Sequence, residues 1–159
     1  MTVVSDTSAL SYLVLIGHIE VLRGSSGSLT IPEEVARELR HPKAPAPIRE
    51  WIASAPDWLV VHPTGETDLP KGPALSRLHP GERAAIQLAE RAGAILVLLD
   101  DRAARTAAEA CGLTVTGVLG VLKTASAEGL LHLPEAIERL RRTNFRASPA
   151  LLRSMEKDP

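Results

Sequence analysis

The chain has a single cysteine, Cys111, so no internal disulfide can staple it. Aromatic residues are almost as scarce, with two Trp, one Tyr and one Phe among 159 residues. That scarcity argues against nucleic-acid recognition dominated by base stacking. No apolar run reaches the ~18 residues of a membrane span. The N-terminus shows no basic region followed by an apolar one, so no signal peptide is read there. An excess of charge is missing as well. Lys and Arg number 18 against 19 Asp and Glu, for a net charge of -1. Such a balance exerts no global pull on nucleic acid. These absences lead us to expect a soluble cytoplasmic protein, without membrane contact, in a reducing compartment. Hydrophobic residues make up 45% of the chain, enough for one domain over residues 1–159 with one core.

The most informative stretch is Ala94-Ile95-Leu96-Val97-Leu98-Leu99-Asp100-Asp101. Six apolar residues end in two carboxylates. The run has the length of a strand buried on both faces, as in a parallel sheet. Val3-Val4-Ser5-Asp6 repeats the pattern in shorter form. Two such strands would place their acids together at the carboxyl edge of a sheet, where open α/β sheets bind ligands.

The rest of the chain alternates strand and helix patterns. Strands are expected at 2–5, 29–31, 58–61, 94–99 and 113–116. Helices are expected at 9–23, 32–40, 48–54, 102–111, 118–128, 135–143 and 148–157, with another from Pro80 to the stop at Gly93. Residues 62–78, rich in Pro, Gly and Thr, read as a loop. The class is α/β, a mostly parallel central sheet flanked by helices.

Taken singly, Asp6, Asp100 and Asp101 each read as a helix N-cap. Taken together they suggest a cation site. A carboxylate at the end of an apolar strand is costly to bury without a partner. Two adjacent ones raise each other's pKa unless positive charge is near. A ligand set of oxygens alone favours Mg²⁺ or Mn²⁺. Glu82 falls in a first helical turn, where the dipole favours it in any case. Glu38 falls near a helix C-terminus, where the dipole opposes it. Setting five acids aside turns the charge balance positive by four, so a basic rim around an acidic pocket is compatible with the composition.

Five segments together resemble the PIN-domain family. They are Val3-Val4-Ser5-Asp6-Thr7-Ser8-Ala9-Leu10, Ile31-Pro32-Glu33-Glu34-Val35-Ala36-Arg37-Glu38-Leu39, Gly81-Glu82-Arg83-Ala84-Ala85-Ile86-Gln87-Leu88-Ala89, Leu98-Leu99-Asp100-Asp101-Arg102-Ala103-Ala104-Arg105 and Thr116-Gly117-Val118-Leu119-Gly120-Val121-Leu122. Within that family the chain is most similar to short bacterial and archaeal PIN-like proteins related to VapC-type toxins. The resemblance covers roughly residues 2–130 and leaves a helical C-terminal tail, 131–159. It implies a three-layer sandwich and a metal-dependent ribonuclease that uses Mg²⁺ or Mn²⁺. Carried over by motif, the catalytic acids are Asp6, Glu38, Glu82 and one of Asp100 and Asp101, with Asp101, followed by Arg102, the first choice. Asp6, Asp101 and Glu82 are the implied metal ligands, with Asp100 as an auxiliary. Glu82 departs from the aspartate common in the wider family. Ser8 matches a small polar residue that hydrogen-bonds an acidic ligand, and a helix-capping hydroxyl is the competing reading. Arg37, Arg102 and Arg105 lie near the acids in sequence and are candidates for holding RNA. A cognate antitoxin and a homodimer are further implied partners, the dimer using an apolar surface of helix 9–23 or 118–128. The alternative is a non-catalytic module that binds RNA or protein.

Other signals fail on chemical grounds. Gly117-Val118-Leu119-Gly120-Val121-Leu122-Lys123-Thr124 has leucine where a P-loop needs glycine before its lysine. The histidines at 18, 41, 62, 79 and 132 lack zinc-ligand spacing. An acidic pair with a later lysine suits a phosphoacceptor receiver domain only when the pair follows the first strand. Cys111 lies in an apolar helix and reads as core.

Overall fold

The structure, a computed structural model, describes residues 2–23, 28–63 and 73–156. Its strands are β1 (Thr2–Ser5), β2 (Ser28–Pro32), β3 (Leu59–His62), β4 (Leu96–Leu98) and β5 (Val115–Thr116). They form one sheet in the order β3-β2-β1-β4-β5. Every pairing is parallel. The helices are α1 (Thr7–Leu15), α2 (Glu33–Arg40), α3 (Ala46–Ala53), α4 (Pro73–Ser76), α5 (Pro80–Ala92), α6 (Arg102–Ala110), α7 (Val118–Ala127), α8 (Leu133–Arg141) and α9 (Pro149–Glu156). The α/β class expected from the alternating pattern is therefore the observed one.

Side chains of a strand alternate between faces, and this sorts the core into two clusters. Val3, Leu29, Ile31 and Leu98 face α1, α2, α3, α7 and α8. Val4, Val97 and Leu99 face α5 and α6. The central strands are thus covered on both sides, which explains why Leu96 to Leu99 read as an unbroken apolar run.

Two expectations are corrected. Helix 9–23 is two pieces. α1 ends at Leu15, and a 3-10 turn spans Ile19–Arg23. Between them Gly17 adopts φ +76°. Its N–H donates to Val14 O at 3.0 Å, and His18 N–H donates to Leu13 O at 2.9 Å. This paired closure needs a left-handed residue, which glycine adopts without steric penalty. Secondly, α4 occupies part of the segment read as loop, while residues 64–72 of that segment lie outside the described residues. The C-terminal segment is helical, as expected, and packs into the core. Leu133, Ala136, Ile137 and Leu140 of α8 join the same cluster as α1, and Arg139 Nη1 donates to Ile16 O at 3.1 Å.

The apolar stripes of α1 and α7 are buried in that core. Leu10, Leu13, Val118 and Leu122 each have 0% exposure, while Val21, Leu22 and Val121 stay half-buried along an open groove. Truncating Leu10 to Ala is expected to cost about 2–5 kcal/mol through lost transfer energy and a residual cavity. A urea titration checks this: the midpoint should fall while the slope stays constant.

Candidate active site

A sheet ordered 3-2-1-4-5 reverses its winding between β1 and β4. A crevice opens there at the carboxyl ends of the strands. β1 and β4 are paired in register, Ser5 opposite Leu98. Asp6 N–H extends the ladder by donating to Leu98 O at 3.1 Å. The two acid-ending strands are therefore neighbours. A cleft of about 380 Å³ opens beside them, lined by Asp6, Thr7, Ser8, Glu38, His79, Glu82 and Asp101. Four sequence-predicted acids, Asp6, Glu38, Glu82 and Asp101, thus meet in one place.

Three of them use an oxygen to finish a helix. Asp6 Oδ1 accepts from Ala9 N–H at 3.0 Å at the start of α1. Asp101 Oδ2 accepts from Ala104 N–H at 3.0 Å at the start of α6. Glu82 Oε1 accepts from His79 N–H at 3.2 Å at the start of α5. The positive ends of these three helices offset part of the carboxylates' mutual repulsion. The second oxygen of Asp6 is not so provided for. Asp6 is 1% exposed, and its Oδ2 is buried with no hydrogen-bond partner among the described residues.

Burial dominates the electrostatics. Desolvation pushes the Asp6 carboxyl up to about 8, against the opposing hydrogen bond from Ala9. The negative charges of Asp100, Glu82 and Glu38 push the same way. Glu82 is also raised, first by burial and then by Asp101. Without added positive charge, Asp6 favours its protonated form at neutral pH.

Glu38 reaches the cleft from the last turn of α2, where the dipole opposes it. Specific donors compensate. Thr7 Oγ1 donates to Glu38 Oε2, and His79 Nδ1 lies 3.1 Å from Glu38 Oε1. Gly81 makes room for this carboxylate: a Cβ there would stand 2.7 Å from Glu38 Oε2. Thr7, read from the sequence only as a possible helix cap, and His79 were not among the candidate site residues. His79 was legible only as the residue before the Pro80 helix start.

The remaining candidates are placed differently. Asp100 is absent from the cleft lining. Its Oδ1 accepts from Val118 N–H at 3.1 Å and so anchors α7. Alternation along the strand explains the split, since Leu98 and Leu99 already face opposite clusters. Ser8 lines the cleft and is exposed, but the hydroxyl seated on an acid belongs to Thr7. Arg37 is 70% exposed in its side chain and stands 3.9 Å from Glu33. Arg102 is exposed at the start of α6. Arg105 lies behind the cleft, beside Asp100 and Gly117.

A family model described as a PIN domain matches residues 2–157. The chain belongs to the PIN-domain family. The match extends beyond the five motifs to take in α8 and α9. PIN domains are generally nucleases and typically use divalent metals. No curated protein and no solved structure matches this chain. Among the described residues no helix is long and apolar enough to cross a membrane.

The Asp6 shift has a consequence for stability. Its folded pKa of about 8 lies above the ordinary 3.8, so the folded state holds the proton more tightly. Stability from this group is present at low pH and is lost as pH rises toward the folded pKa. In chelator, wild-type melting temperature is expected to fall between about pH 5 and pH 8 relative to Asp6→Asn. Parallel melting curves over that range would show that Asp6 is not buried as described.

Proposed function

We propose that this PIN domain is a divalent-metal-dependent endoribonuclease, hydrolysing phosphodiester bonds in the four-acid cleft with Mg²⁺ or Mn²⁺. The observation that carries the reading is Asp6. Asp6 lines the acidic cleft; one of its oxygens caps α1, while the other is buried without a hydrogen-bond partner among the described residues. An unpaired carboxylate there is costly unless it is protonated or meets a cation. The oxygen-only donor set suits a hard divalent ion. Asp6, Asp101 and Glu82 would hold it, with Glu38 acting directly or through water. When bound, the ion supplies positive charge that steadies negative charge developing on a phosphate and eases water deprotonation.

The protein's own residues supply the rest. The cap at Ala9 fixes the Asp6 carboxylate, and the cap at Ala104 fixes that of Asp101. Arg37 and Arg102, both exposed, are the candidates for holding RNA phosphates. Arg105 is a weaker candidate because it lies against Asp100. Asp100 stays the auxiliary ligand of this reading: its Oδ1 anchors α7, while its Oδ2 is buried without a hydrogen-bond partner among the described residues.

We assign the toxin of a toxin–antitoxin pair as a refinement, resting on the likeness to VapC-type proteins. The homodimer belongs to this reading, with half-buried Leu119 and Val121 of α7 among its apolar side chains. One observation favours the rival reading, a non-catalytic module that binds RNA or protein. Among the described residues, no three His, Cys, Asp or Glu side chains stand as a ready-made ligand set. Ligation therefore calls for side-chain movement or for water between ion and acid.

Mn²⁺ titration of wild type and of Asp6→Asn/Asp101→Asn, followed by incubation with mixed single-stranded and structured RNA, separates the two. The nuclease reading expects binding and cleavage in wild type, with cleavage in the double variant reduced by at least about 10³-fold. A wild type that binds no divalent ion and cuts no RNA would leave only the binding module.

A further inference from the structure

We infer that His79 is a positioning residue of the cleft: it joins Glu38 to the first turn of α5 and fixes that carboxylate relative to Glu82. The inference rests on the proposed metal-dependent nuclease reading. His79 Nδ1 is 3.1 Å from Glu38 Oε1, and His79 N–H donates to Glu82 Oε1 at 3.2 Å. One residue therefore touches two cleft acids, one through its ring and one through its main chain. The acids belong to different helices, α2 and α5.

The competing role is a plain helix cap. Nδ1 also lies 3.4 Å from Gly81 N. A single ring nitrogen cannot accept from Gly81 and donate to Glu38 at once. The contact to the carboxylate is shorter, and a charged acceptor strengthens it. The neutral tautomer with its proton on Nδ1 suffices for this bond, so no change of charge is required. The capping of α5 then falls to Glu82, whose carboxylate takes the His79 N–H.

Local packing requires the same placement of Glu38. Its carboxylate occupies space that a Cβ on Gly81 would claim, at 2.7 and 2.8 Å from its two oxygens. Thr7 Oγ1 holds Oε2 from the start of α1, and His79 holds Oε1 from the start of α5. The carboxylate at the unfavourable end of α2 is thereby tied to two other helices. Because the His79 side chain is 62% exposed, its bond adds little to stability. What it contributes is direction, as outer partners of ligating groups do.

Three variants of the full chain separate direction from capping. Ser at position 79 caps a helix but is too short to reach Glu38. Asn caps with its oxygen and offers an amide N–H close to where Nδ1 stands. Ala does neither. Calorimetric Mn²⁺ affinity is the readout, with metal-free melting curves as the control for folding. His79→Ala and His79→Ser should weaken Mn²⁺ binding about 10-fold or more, the scale of outer-shell losses. His79→Asn should stay within about threefold of wild type by that same scale. His79→Ser should melt as wild type does without metal. Wild-type affinity in both Ala and Ser variants overturns the inference and leaves the nuclease reading standing. Equal loss in Asn and Ala overturns the donor argument. A wild type that takes up no Mn²⁺ overturns the nuclease reading and this inference with it.

Discussion

The structure turns on the carboxylate of Asp6 at the end of a buried strand. β1 lies in the middle of the sheet, and Asp6, which follows it, is 1% exposed at the floor of the cleft it lines. The chain meets that constraint halfway. The first turn of α1 donates one N–H to Oδ1, and among the described residues nothing comparable reaches Oδ2. The same division recurs at Asp101 and Glu82, where one oxygen closes a helix start. Capping and ligation are usually weighed as rival explanations of an acid at a helix N-terminus. Here they are compatible because a carboxylate has two oxygens. The cap also fixes the rotamer, and a fixed rotamer is what an ion-binding or phosphate-facing acid needs.

Topology makes the clustering economical. β1 is flanked by β2 on one side and β4 on the other, so successive crossovers lead away from a single crevice. The helices that leave β1 and β4 start at that crevice with their positive ends toward it. α5 starts there as well, without following a strand directly, and brings Glu82 and His79. Only Glu38 comes from a helix C-terminus, and it is the acid that needs two side-chain donors, Thr7 and His79.

Much of this was legible in the sequence, for identifiable reasons. The apolar run ending at Asp100-Asp101 marks a doubly covered strand because both faces of β4 really are buried. Pro80 and Gly93 bracket α5 by steric rules that hold locally. Gly17 was harder, since a glycine inside an apolar stripe looks like a gap until its φ of +76° is seen. The link from His79 to Glu38 could not be found by spacing, because Glu38 lies 41 residues upstream on α2, whereas Glu82, three residues on, belongs to the helix whose N-cap position His79 holds. Only the packing of α2 against α5 brings it to Glu38.

The adjacent pair Asp100 and Asp101 shows how local geometry settles what composition leaves open. As a sequence, two neighbouring carboxylates demand a shared cation or a raised pKa. The pleat offers another solution by sending them to opposite sides. Asp101 turns toward α6 and the cleft, while Asp100 turns toward the N-terminus of α7. There the Val118 N–H and the Arg105 charge counter a pKa that burial raises. Gly117 makes this approach possible, since a Cβ would stand 2.5 Å from Asp100 Oδ1. The fifth motif, Thr116 to Leu122, is thus the receptor for an acid in the fourth. Their joint presence follows from one contact, which holds α7 against the strand end that also carries Asp101.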